Sequence, residues 1–343
     1  MSIASPDEPV FGEVASFELL SSRVAQLPAV LRATLDREVD GVGAASETAR
    51  FVVTGIGGSE GPARIVAAAL RRFVGVHARY VPMSALHTGT DPELARRETL
   101  VLISHGVCPN ARNVLAQAER FASCVLFTGR ERDGLAGNVH TRIIPPDDEG
   151  GLLVRVLAPA AATLAGLRWV SDLARARGCD IGPLSRLAEV PAAVERVLSQ
   201  ESDPRSVDGA RVGIITCGDD GDAFAHGIRW KWLEALGRGD PPCWDALGFA
   251  HGPFQDIWEE RTVLWALLHD EARHEREYIE RLASILHAGR HRLVRVVASL
   301  PSPLGWFEHD AWFGRVVLSE LRDRPRDLLN WPGKGRDGAL YGF

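Results

Sequence analysis

Arg50-Phe51-Val52-Val53-Thr54-Gly55-Ile56-Gly57-Gly58-Ser59 is the stretch on which the fold turns. The run 50–54 is rich in β-branched and aromatic side chains, which favour a pleated, half-buried strand. Three glycines then interrupt it, and apolar residues at helical spacing follow from Pro62 to Phe73. Strand, glycine loop and helix in that order is the opening unit of a parallel α/β sheet.

The same alternation extends outward on both sides. Residues 16 to 38 read as helices leading into the sheet, and strands are predicted at His77–Val81, Thr99–Ser104, Cys124–Thr128 and near Arg142–Ile144. A helix is predicted over Ala111–Phe121, and a long one from Gly151 onward. After the polar stretch Ser199–Asp208, which carries Pro204 and reads as a linker, a second cycle begins. It runs through a strand at Val212–Thr216, the loop Gly218-Asp219-Asp220-Gly221 and a helix at Ala223–Leu236. A strand at Thr262–Leu268, a helix at Glu275–His287 and a strand at Leu293–Ala298 complete it. The expected fold class is α/β, with two doubly wound parallel-sheet lobes in tandem. The boundaries are N-terminal helices at 1–45, one lobe at 46–198, a second at 199–320 and a tail at 321–343.

Composition excludes several classes. At 343 residues, 45% hydrophobic and 24% charged, the chain has the make-up of an ordinary globular protein and the length of two domains. A net charge of −6 and the lack of a basic stripe argue against nucleic acid as a partner. Arg290-His291-Arg292 with Arg295 reads as a solvated loop entering a strand. The five cysteines are odd in number and contain no CxxC pair, which fits a reducing compartment without structural zinc. The opening MSIASPDEPVFGE is acidic and lacks an apolar core region, so it is not read as a secretory signal. The apolar stretch Leu152–Val170 is broken by Arg155, Pro159 and Arg168, which suits a buried helix better than a membrane span. The expectation is a cytoplasmic protein without membrane contact.

Three places can carry chemistry. The glycine loop departs from GxGxxG because Glu60 stands where the last glycine belongs, so no nucleotide cofactor is expected; Gly57, Gly58 and Ser59 still allow close approach of a hydroxyl or anion. Ser104-His105-Gly106-Val107-Cys108-Pro109-Asn110 follows the third strand, where amides and hydroxyls face a ligand, although Asn110 also suits a helix cap. Lys231 and Glu234 lie three apart on one helix face and precede Ala250-His251-Gly252-Pro253. Such a pair also suits a surface ion pair.

Taken together, Gly57-Gly58-Ser59, the strand ending Ile103-Ser104, Lys231 with Glu234, His251-Gly252-Pro253 and the tail Asp323-Arg324-Pro325-Arg326-Asp327-Leu328-Leu329 resemble the double sugar-isomerase (SIS) family, which includes the isomerase half of glucosamine-6-phosphate synthase and deglycase relatives. The resemblance spans about residues 16 to 334. It implies a homodimeric enzyme without cofactor or metal, acting on a sugar or amino-sugar derivative by isomerisation or C–N cleavage. Glu234 would move a proton between adjacent carbons, and His251 would assist ring opening, entering a dimer partner's site. Substrate contacts would come from Gly57, Gly58, Ser59, Ser104, His105, Asn110, Lys231 and Asn330. The chain departs from the family in two places. Gly106, Val107 and Pro109 stand where the SxSGxT loop has its second Ser, Gly and Thr, and Asn330 replaces the tail lysine, with Lys334 nearby. A non-catalytic sugar-binding or regulatory protein is the alternative.

Two further groupings weigh less. His269 and His274 are five residues apart, so on a helix they point roughly 140° apart and share no metal-binding face. Trp230, Trp232, Trp244, Trp258 and Trp265 surround the second motif in sequence; core packing is the plainer role, with sugar stacking the other.

Overall fold

Leu20, Val24, Leu27 and Leu31 recur at helical spacing, and all four are buried on one face of α1 (Phe11–Asp36). That helix packs across α6 (Leu157–Ala176), α7 (Val190–Leu198) and α12 (Gly305–Asp323). The computed structural model describes residues 11–37, 43–88, 91–201, 204, 207, 209–218 and 221–341. Asp219 and Asp220 of the predicted second loop, and half of the predicted linker 199–208, lie outside these residues.

Five strands form the first sheet: β1 (Arg50–Thr54), β2 (His77–Tyr80), β3 (Thr99–Ile103), β4 (Ser123–Thr128) and β5 (Val139–Ile143), in the order β2-β1-β3-β4-β5. All pairings are parallel. Between them run α2 (Glu60–Ala69), α3 (Met83–Thr88), α4 (Pro92–Ala95) and α5 (Pro109–Leu115). Every residue of β3 and β4 is buried, the mark of a strand covered on both faces. Alternation sends Val101, Ile103, Val125 and Phe127 into one core and Leu100, Leu102, Cys124 and Leu126 into another.

A second parallel sheet has the order β7-β6-β8-β9, from β6 (Arg211–Thr216), β7 (Cys243–Asp245), β8 (Thr262–His269) and β9 (His291–Ala298). Its helices are α8 (Gly221–Leu236), α9 (Ala246–Phe249), α10 (Pro253–Asp256), α11 (Arg273–Ile285) and α12. Val263, Trp265 and Leu267 of β8 join the same core as Phe51, Val53 and Trp169 of the first half. The two sheets therefore share one helical interior.

The structure corrects the sequence reading in several places. The long helix starts at Leu157 rather than Gly151, because Gly150 and Gly151 hold the chain open until Glu149 caps the first turn. Helix α5 is shorter than predicted, and its cap position is Cys108, which leaves Asn110 inside the first turn. The short strand β7, helix α7 and the 19-residue α12 were not predicted. Strand β7 has only three residues, and α12 buries charged side chains (Glu308, Asp310, Arg315 and Glu320) among its 14 buried residues, which blurs the contrast between its faces. No helix among the described residues is long and apolar enough to cross a membrane.

Candidate active site

In a sheet ordered 2-1-3-4-5 the chain leaves β1 and β3 in opposite directions, which opens a crevice beyond their carboxyl ends. A cavity of about 280 Å3 lies there, lined by Ile56, Gly58 and Ser59 after β1, Ser104 to Gly106 and Cys108 after β3, and Arg130 after β4. Asp147, Asp148, Glu149, Arg155, Ala158 and Pro159 close the other side. Gly57 has φ +59, a left-handed turn that lets the loop double back into α2. Val107 adopts φ +49, a conformation costly for a β-branched residue, at the position where the SIS pattern has glycine.

The loop after β3 is held by protein partners. The Ser104 N–H donates to the Phe127 carbonyl at 3.0 Å. The His105 carbonyl accepts from the Thr128 hydroxyl at 3.0 Å and the Gly129 N–H at 2.9 Å, and the His105 ring contacts the Pro146 carbonyl. Arg132 donates to the Gly106 carbonyl at 2.8 Å.

Opposite this loop, buried Glu149 accepts from three amides at the start of α6: Val156 at 2.6 Å, Leu157 at 2.7 Å and Ala158 at 2.7 Å. These are the donors a helix start leaves unpaired, and a carboxylate there also meets the positive end of the helix dipole. The Arg155 guanidinium donates to the Glu149 carbonyl, fixing the wall.

Helix α8 lies behind the cavity wall because two glycines meet. A Cβ on Gly61 of α2 would lie 2.5 Å from the Gly227 Cα, so α2 and α8 cross at backbone contact. The Glu60 carboxylate clamps the crossing: it accepts from Arg64 at 3.0 Å and from the Trp230 indole at 3.2 Å, and it pairs with the His226 ring at 3.1 Å. Burial opposes the charge on Glu60, but His226 and Arg64 outweigh it and pull the carboxyl down to about 2.

This crossing brings Glu234, near the end of α8, against Arg155. The partly buried Glu234 carboxyl accepts from the Arg155 backbone N–H. Burial raises its proton affinity to about 7, with Arg155 opposing and the Glu149 charge assisting. Lys231, one turn earlier, points elsewhere: its ammonium pairs with Asp310 of α12 at 2.7 Å, both side chains nearly sealed at 5% and 3% exposure. Burial pushes the Asp310 carboxyl up, against the pull of Lys231. The end of α8 is backed by the tail, where the Arg326 guanidinium fills the space a side chain on Gly237 would need.

Of the residues singled out in the sequence, Gly58, Ser59, Ser104 and His105 line the cavity, and Gly57 and Glu234 adjoin it. The others lie apart from the lining. His251 is exposed between α9 and α10, Asn110 sits in the first turn of α5, and Lys231 is held by Asp310. Asn330 donates its backbone and side-chain amide N–H groups to the Asp327 carboxylate, and Lys334 donates to the Leu329 carbonyl. None of the five tryptophans lines the cavity; Trp232 and Trp265 stack edge to face in the core, with ring centroids 5.4 Å apart. His269 is buried beside Glu275, whereas His274 is exposed, and among the described residues no cluster of His, Cys, Asp and Glu could hold a metal ion. Sequence reasoning missed Glu149, Arg155, Arg130, Glu60 and Asp310. Glu60 had a signal, as the residue that breaks the glycine motif, and so did Arg155, as a charge within an apolar stretch.

Solved structures share this architecture. The C-terminal domain of glucosamine-fructose-6-phosphate aminotransferase from Francisella tularensis superposes with a TM-score of 0.73 at 9% identity, covering 90% of this chain and 97% of that one. Tagatose-6-phosphate ketose/aldose isomerase from Escherichia coli gives 0.70 at 14% identity, over 94% and 98%. Glucosamine-6-phosphate deaminase from Thermotoga maritima gives 0.64 at 14% identity, over 90% and 98%. No protein-family model matches the chain, and no curated protein matches it in sequence. The fold is thus the doubly wound α/β arrangement of SIS type.

Proposed function

We propose that the protein is a sugar or amino-sugar isomerase or deglycase that works by proton transfer through Glu234, on a substrate seated at the end of the first sheet. The observation that carries this reading is the Glu234 carboxyl, whose affinity near 7 makes both protonation states available at neutral pH. As carboxylate it takes the proton from C2 of an opened aldose while the O2 proton passes to O1, giving an enediolate; as carboxylic acid it returns the proton to C1, leaving the ketone at C2. Ser59 and Ser104 bind substrate hydroxyls. His251 stands outside its own chain's cavity lining, so in this reading a homodimer partner presents it to assist ring opening. The folds of the two sugar-phosphate enzymes and the aminotransferase domain support the substrate class.

The test is proton exchange at carbon. Wild-type protein incubated with aldose, ketose and amino-sugar phosphates in deuterium oxide should introduce deuterium at C1 or C2 of one of them, read by NMR. Glu234→Gln should bind the same sugar and exchange nothing. Exchange retained in the Gln variant would overturn the role of Glu234.

A non-catalytic sugar-binding role has a specific observation in its favour: Asp310 neutralises Lys231, and the loop at 106–109 offers no side-chain hydroxyl. Saturable binding without exchange for any bound sugar would favour it.

A further inference from the structure

We propose that Arg130 recognises an oxyanion on the ligand, a phosphate or a carboxylate, and so sets the specificity of the cavity. The proposal rests on the reading of this cavity as a sugar site, and it differs in device from the hydroxyl loop of the SIS pattern.

The loop after β3 is poorly equipped for an anion. Gly106, Val107 and Pro109 carry no side-chain donor, and Pro109 has no N–H either. The His105 ring is engaged by the Pro146 carbonyl, and Arg132 donates to the Gly106 carbonyl. Ser104 is the remaining hydroxyl of that loop.

Arg130 supplies what the loop lacks. It lies two residues beyond Thr128, the last residue of β4, and β4 pairs directly with β3, so its side chain enters the same crevice from the neighbouring strand. Among the described residues it makes no ion pair or side-chain hydrogen bond, and it is exposed at the rim. A guanidinium presents two parallel N–H groups to two oxygens of a phosphate or carboxylate.

The acidic residues of the same lining keep their charge but are directed to protein donors rather than to Arg130. Glu149 is occupied by the three α6 amides, Asp148 accepts from the Gly150 N–H at 2.7 Å, and Asp147 faces Arg37 at 3.5 Å. Arg155 donates to the Glu149 carbonyl and adds a second positive charge to the wall. The carboxylates are thus held by the protein, while the Arg130 donors remain available to a ligand.

Calorimetric titration at fixed ionic strength tests this, with inorganic phosphate, glucose 6-phosphate, glucosamine 6-phosphate, gluconate and glucose as probes. The wild type should bind at least one anionic sugar about tenfold or more tightly than glucose, the scale of a hydrogen-bonded charge. Arg130→Ala should erase that preference, and Arg130→Lys, a point charge without the fork, should keep part of it. Preference for the phosphates or for gluconate tells which oxyanion is used. Equal affinity of Arg130→Ala and wild type for the anionic sugar, no preference over glucose in the wild type, or no saturable binding of any anionic probe would overturn the proposal. Arg130-dependent binding without deuterium exchange would instead count against the catalytic reading alone.

Discussion

Gly61 and Gly227 touch backbone to backbone, and this contact between α2 and α8 packs the second half of the chain against the wall of the first half's cavity. A methyl group on Gly61 would sit 2.5 Å from the Gly227 Cα, and no flexible side chain is there to give way. Gly61→Ala should therefore force the helices apart and lose about 3 kcal/mol of stability, at the upper end of overpacking costs. Urea denaturation checks this; an unchanged midpoint would mean that the helices can separate without loss.

The clamp beside that contact should be visible in acid. The Glu60 carboxyl is held at about 2 against a usual 4.5, so its contribution is fully present above pH about 4.5 and is lost as pH falls from there toward 2. Glu60→Gln should cost about 2 kcal/mol at pH 7, and the two proteins should converge as the pH approaches 2. Denaturation midpoints measured across that range would show the convergence, and a gap constant with pH would sink the idea.

Glu234 carries the opposite sign. Its affinity is raised from 4.5 to about 7, so the folded state binds the proton more tightly than the unfolded chain does. The native protein is penalised progressively as pH rises from about 4.5 to 7, and the penalty is full above that. Glu234→Gln should accordingly be more stable than wild type by about 2 kcal/mol at pH 8 and equal to it near pH 4. A carboxyl that costs stability is the pattern the proposed acid-base role of Glu234 requires, and urea midpoints of the two proteins at pH 4 and pH 8 check it.

The Lys231–Asp310 pair tests whether the motif lysine has been taken over by structure. With both groups sealed, Asp310→Asn leaves a buried ammonium without its counter-charge and should cost about 3–5 kcal/mol. Lys231→Met combined with Asp310→Leu should recover most of that loss. Thermal melts of the single and double variants decide it; equal destabilisation in all would point to shape rather than charge.

Sequence by itself determined most of the strands and the alternation of strand and helix. The β-branched run 50–54, the glycines after it and the apolar helical spacing that follows are local preferences, which act between residues a few positions apart. The first sheet and its carboxyl-end crevice followed from them, and so did Gly58, Ser59, Ser104 and His105 as cavity residues. Tertiary structure alone decided the rest. Lys231 and Glu234 share a helix one turn apart, yet the first is buried against Asp310 and the second is held by the Arg155 amide. Whether Glu60 is a broken glycine motif or a clamp depends on His226 and Trp230 arriving from another helix. A carboxyl's charge state is set by burial and by the charges around it, and those neighbours are assembled only when distant segments pack.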